Sequence, residues 1–176
     1  SIASTRTASA VCISRCAIHI ASASLSRLRQ AGMGVPGRPW KMVAAIESTG
    51  FSAIAFSGSL RAASSNTGLV RLAQRIAPDE LSIEVDEAQA AIQALPFYNE
   101  DLEAEPPASV VAWRQLVADA DAVIIGMPEH NFSPSAVAKN AIDWLTRPPG
   151  QHTLKGKVIA MMTSGGMGGG PRVQAP

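Results

Sequence analysis

With 176 residues, fifteen Lys and Arg against fourteen Asp and Glu, and a net charge of +1, the chain has the length of one α/β domain rather than two. The near-neutral total hides an asymmetry. Residues 1–41 carry six basic groups (Arg6, Arg15, Arg27, Arg29, Arg38 and Lys41) and no acid. Residues 42–176 hold nine basic groups against fourteen acidic ones, or −5, a balance without a basic stripe that argues against nucleic-acid binding.

Residues 1–50 are rich in Ser, Ala and Arg and end in the loop-forming run Gly32–Pro39. They read as a disordered or transit-like extension of residues 51–176, compatible with an organellar transit peptide and equally with translated sequence upstream of a start at Met42. Val11–Ala23 is too short to span a bilayer and contains Arg15 and His19. Cys12 and Cys16 stand beside no further Cys or His cluster, so they form neither a disulfide framework nor a metal site. A reducing compartment follows, with the cytoplasm as the first expectation and an organelle as the alternative if the extension is a transit peptide.

Ala53-Ile54-Ala55-Phe56 is an apolar run of strand character that empties into the polar turn Ser57–Asn66. Leu69, Val70, Leu72, Ala73 and Ile76 then recur at helical spacing until Pro78. A strand, a polar loop and a helix start point several backbone N–H groups and the positive end of a helix dipole at one spot. The hydroxyls and the guanidinium there suit a phosphate; simple capping of the helix is the other reading of Ser64 and Asn66.

Leu81–Val85 alternates like a strand with one wetter face, Ala88–Ala94 is a short helical or irregular link, and Leu95–Asn99 is a loop. A helix follows Pro106-Pro107, with Val110, Val111, Leu116 and Val117 as its expected buried side and Trp113 at its edge. Asp121–Met127 reads as a strand buried on both faces, which implies a parallel sheet with helices on each side. After the loop Pro128–Pro134, the pattern predicts a helix over Ser135–Leu145, a strand over Lys157–Thr163 and a glycine-rich loop over Ser164–Gly170. This alternation describes a doubly wound sheet, whose ligands bind beyond the C-terminal strand ends where the strand order reverses. The loops Ser57–Asn66, Pro128–Ser133 and Ser164–Gly170 would converge there.

Five segments together carry a family resemblance. Gly58-Ser59-Leu60-Arg61 with Ser64 and Asn66, Leu95–Asn99, Pro128–Ser133, Lys139–Trp144 and Ser164–Gly166 are similar, in order and spacing, to the NAD(P)H-dependent FMN reductases, which include quinone, azo-dye and chromate reductases. The resemblance spans about Phe51 to Gln174. It implies a flavodoxin-like three-layer α/β/α fold with FMN as cofactor and NADPH or NADH as donor. It implies that Ser59, Arg61, Ser64 and Asn66 hold the FMN phosphate, that Pro128, Glu129, His130 and Asn131 line the ring and ribityl chain, and that Ser164, Gly165 and Gly166 approach the pyrimidine end. The flavin carries the hydride chemistry, so no catalytic side chain is implied.

By the same resemblance the Lys139–Trp144 helix packs on a second copy, with Trp144 as anchor, to give a homodimer or homotetramer; Ile142 and Trp144 fit a core equally well. Two departures stand out. His130 replaces the usual Tyr, and the chain ends at Pro176 where the family continues with a helix, a fifth strand and a final helix. A product lacking those elements would leave apolar surface beside its fourth strand. The alternative to an oxidoreductase is therefore a non-catalytic flavin- or partner-binding remnant. An electron-transfer flavodoxin fits less well, because Tyr98 is the only Tyr.

Overall fold

A computed structural model describes residues 50–165. Residues 1–49 of the expected extension and Gly166 lie outside the described residues. The elements run in chain order as β1 (Phe51–Ser57), α1 (Ser65–Arg75), β2 (Leu81–Glu84), α2 (Asp86–Gln93), a 3-10 turn (Glu100–Leu102), α3 (Ala108–Asp119), β3 (Ala122–Gly126), β4 (Glu129–His130), β5 (Ser133–Pro134), α4 (Ala136–Thr146) and β6 (Val158–Met162).

Four strands form one parallel sheet in the order β2-β1-β3-β6. This is the flavodoxin-like order, whose switch point lies between β1 and β3. Side chains alternate across the pleat. Ile54, Phe56, Val123 and Ile125 therefore meet α2, α3 and α4 on one face, while Ala53, Ala55 and Ala122 meet Val70 and Ala73 of α1 on the other. Among the described residues the α1 face is the thinner one. Ile124, expected to be fully buried, is half-buried there. Among the described residues of β6, Ile159 is 47% and Met161 41% exposed.

Helix α3 corrects one expectation. Trp113, expected at the helix edge, is fully buried, and Val111, expected on the buried side, is 51% exposed. The inward row is Val110, Trp113 and Val117, at three-and-four spacing. Trp113 can be buried whole because its indole N–H donates to the Ala141 carbonyl at 3.1 Å, and its ring meets Phe56 edge-on at 5.3 Å.

Helix α4 decides between the two expectations for Trp144. Trp144 is 2% exposed and donates its indole N–H to the Pro96 carbonyl at 2.9 Å, so it anchors this chain's own core and not a second copy. Asn140 accepts from the Tyr98 N–H at 2.8 Å and donates to Pro96 at 2.9 Å. The Asn140–Trp144 pair thus fastens the Leu95–Asn99 loop. Tyr98 in turn donates to Glu103 at 2.6 Å and accepts from Arg147 at 2.9 Å. The bond to the Glu103 carboxylate, helped by desolvation, raises the Tyr98 pKa above its ordinary value.

Candidate functional site

At the C-terminal strand ends lies a crevice of about 280 Å³ lined by Ser59, Arg61, Ser64, Ser65, Asn66, Pro128, Glu129, His130, Ser164 and Gly165. Its three walls leave β1, β3 and β6, and these strands are neighbours in the sheet.

The first wall is shaped by side-chain oxygens that accept from main-chain N–H groups. Ser57 Oγ accepts from Ser59 at 3.2 Å, Ser59 Oγ accepts from Arg61 at 3.4 Å, and Ser64, the N-cap of α1, accepts from Thr67 at 3.3 Å. These bonds use hydroxyl lone pairs, and at the two that line the crevice, Ser59 and Ser64, the hydroxyl proton can donate to an anion. Ahead of the capped Thr67, the Ser65 and Asn66 amides at the start of α1 have no partner within the helix, and the helix adds the positive end of its dipole. Arg61 is exposed at the rim. Hydroxyl, amide and guanidinium donors with no lining acid on this wall fit a phosphate dianion.

Asn66 behaves differently from expectation. It is buried, and both ends of its side-chain amide bond the Ser164 main chain, donating to the carbonyl at 3.0 Å and accepting from the N–H at 2.9 Å. Its polar atoms face the third wall.

The second wall begins with Pro128, which is buried, and continues through half-buried Glu129 to exposed His130. The expected plain loop is a short hairpin, with Glu129 opposite Pro134 and His130 opposite Ser133. Asn131 and Phe132 form its two-residue turn at φ +51° and +63°, the backbone that matches strand twist in tight hairpins. Asn131 tolerates that region through its short polar side chain. It occupies the turn rather than the crevice wall, so nine of the eleven expected cofactor residues line the crevice, with Gly166 outside the described residues.

Close packing ties the first two walls together. A Cβ on Gly58 would stand 2.5 Å from Ser135 Oγ, 2.7 Å from Ala138 Cβ and 3.0 Å from Pro128 Cδ. Ser135, the N-cap of α4, donates to the Gly58 carbonyl at 2.7 Å and accepts from Ala138 at 3.3 Å.

Sequence reasoning missed three residues. Ser65 lines the crevice one residue past the helix cap, where the serine run already pointed. Ser135, where the pattern predicts only a helix start, also joins the first two walls through the Gly58 carbonyl. Gln89 carries no local signal: from α2, thirty-two residues away, its side-chain amide accepts from the Ser57 N–H at 2.9 Å and donates to the Ser57 carbonyl at 3.2 Å. It acts where β2, which ends opposite Ile54, no longer covers the edge of β1.

The NADPH-dependent FMN reductase family model matches residues 52–175. The chain is 41% identical over 119 residues to the NADPH:quinone oxidoreductase of Arabidopsis thaliana, covering 66% of this chain and 59% of that protein. It is 41% identical over 124 residues to an NAD(P)H-dependent FMN reductase of Pseudomonas aeruginosa, with 69% and 64% covered. To the quinone reductase of Escherichia coli K12 it is 42% identical over 120 residues, with 66% and 62% covered. Among solved structures, the flavoenzyme NAD(P)H:(acceptor) oxidoreductase of Paracoccus denitrificans matches with a TM-score of 0.63 at 38% identity, covering 70% of this chain and 66% of that one. The chain thus spans about three-fifths of the length of these curated relatives. Over the matched residues, the chain belongs to the NADPH-dependent FMN reductase family.

Proposed function

We propose that the chain is an FMN-dependent NAD(P)H oxidoreductase that passes hydride from a nicotinamide through bound FMN to a quinone, azo compound, metal oxyanion or free flavin. The observation that carries this reading is the meeting of three strand-end loops in one crevice, with phosphate-type donors confined to one end. Bound FMN supplies the redox chemistry. The protein's share is binding and orientation. Ser59, Ser64 and Ser65, with the first-turn amides of α1, would hold the phosphate while Arg61 closes over it. Pro128, Glu129 and His130 would flank the ring and ribityl chain, and the main chain at Ser164 and Gly165 would meet the pyrimidine edge. Donor and acceptor would use the open side of the crevice in turn, a ping-pong order that needs no protein nucleophile.

A homodimer or homotetramer and a cytoplasmic location belong to the same reading. With Ala141 and Trp144 buried, α4 would offer a second copy its Ala136 and Lys139 side. Among the described residues no helix is long and apolar enough to cross a membrane.

The test is a visible spectrum and thermal melt of the chain with and without excess FMN, followed by NADH and NADPH oxidation with a quinone. A flavin spectrum retained through gel filtration, a melt raised by FMN and quinone-dependent turnover are expected. A chain that shows neither bound flavin nor a melt raised by FMN defeats the reading. In the same assay Arg61→Ala should weaken FMN about tenfold and leave riboflavin, which lacks the phosphate, unchanged.

A further inference from the structure

We infer that the Asn66 side chain positions the ring end of the crevice and is not one of the groups that hold the phosphate. The inference rests on the FMN reading above and assigns that site a division of labour. Asn66 sits in the first turn of α1, where position alone would assign it to the anion. Its side chain instead reaches across ninety-eight residues of sequence to make two hydrogen bonds with one residue, Ser164, at 3.0 and 2.9 Å. A side-chain amide that donates to a main-chain carbonyl and accepts from the same residue's N–H reproduces the pairing that a neighbouring strand would provide.

The third wall needs such a partner. The ladder between β3 and β6 ends at Gly126 opposite Met162, with one more bond from the Met127 N–H to the Met162 carbonyl at 2.7 Å. Beyond it the chain turns out of the sheet, and the Asn66 amide is its next main-chain attachment. Gly126 sets how deep that attachment sits. A Cβ there would stand 2.8 Å from the Asn66 carbonyl oxygen and 3.1 Å from Val70 Cγ1, so the glycine lets α1 settle against β3 and brings Asn66 level with Ser164. The helix that offers its N-terminus to the phosphate thereby also fixes the segment that meets the ring. The two ends of the ligand are read by one rigid body.

The experiment compares two flavins. FMN and riboflavin differ only in the phosphate, so a phosphate ligand changes their affinity ratio and a ring-end positioning residue does not. Asn66→Ala, titrated with both at a temperature where circular dichroism shows it folded, should lose about tenfold in affinity for each, against the FMN-only loss of Arg61→Ala. Loss of FMN affinity alone in Asn66→Ala overturns the inference and leaves the FMN reading standing. A wild-type chain that binds neither flavin defeats that reading and this inference with it. Amide hydrogen exchange on the flavin-free wild-type chain gives a second readout that needs no variant. The Ser164 amide should exchange slowly while the exposed loop around Gly150 exchanges fast; equal, fast exchange at both overturns the inference.

Discussion

The loops that leave β1 and β3 face each other across the crevice, yet they are held by different means. The β1 loop is fixed by side chains that satisfy its main chain: Ser57 and Ser59 within it, Ser64 at its end and Gln89 from outside. The β3 loop is fixed by backbone conformation, a two-residue turn with two positive φ angles, one of them at Phe132. The contrast matches what each would present in the proposed FMN site. A loop that must aim donors at an anion gains from hydroxyls that shape it from behind while their protons stay available. A loop that must present a flat flank needs only a stiff ribbon, and the cost of a bulky residue in the left-handed region is carried by the surrounding fold.

The largest effect expected from disturbing this arrangement comes where the two loops touch. Gly58→Ala puts a methyl within 2.5–3.0 Å of Ser135, Ala138 and Pro128, none of which is the free end of a long side chain. Either β1 or the start of α4 must move, and the buried bond from Ser135 to the Gly58 carbonyl is stretched with it. Chemical denaturation should show a loss of about 3 kcal/mol, and FMN affinity should fall with it. A near-neutral result would show that the two walls are not coupled by contact at Gly58.

Next comes the side-chain scaffold of the β1 loop. Gln89→Leu keeps the bulk but leaves the buried Ser57 N–H and carbonyl without the partners that β2 does not supply. A loss of about 2 kcal/mol is expected, read as a shifted denaturant midpoint at unchanged slope. Gln89→Glu, which keeps only the acceptor, should fall between the two. The β3 loop should respond with the opposite sign. Phe132→Gly gives the Asn-Gly pair that such turns favour, and the 71% exposure of Phe132 limits the burial lost. A gain of about 0.5–1 kcal/mol is expected in the same assay. A loss would mean that Phe132 contributes more through contact than its backbone costs.

The same contrast explains what the sequence disclosed. The alternation of elements, the doubly wound sheet and nine of the ten crevice residues followed from apolar runs, turn chemistry and the ordered family motifs, because those signals are local or shared. The serine-built loop was legible for that reason. The hairpin was not, since nothing in Asn131-Phe132 advertises positive φ as Asn-Gly would. Gln89 and the true partner of Asn66 were invisible because each bond joins residues that only the sheet brings together. Trp113 was misplaced and Trp144 left open between core and interface because a tryptophan is fully buried only when its N–H finds an acceptor. Here the acceptors are carbonyls of Ala141 and Pro96, supplied by elements the helix pattern cannot see.

The smallest effect concerns the motif most visible in the sequence. Lys139 and Asp143 lie four apart on α4 and form an ion pair, with side chains 62% and 31% exposed. Neighbouring Asn140 and Trp144 each bond the loop before the 3-10 turn. Position by position the motif divides into an inward pair that fixes a loop and an outward pair that meets solvent. Solvent screens the outward pair, so Lys139→Ala should cost at most about 0.5 kcal/mol, and that loss should shrink in 1 M salt. Asn140→Ala, which removes two loop bonds at once, should cost several times more at either salt concentration. Equal losses for the two variants, with equal salt dependence, would show that the motif acts as one charged unit and that its inward and outward halves are not separable.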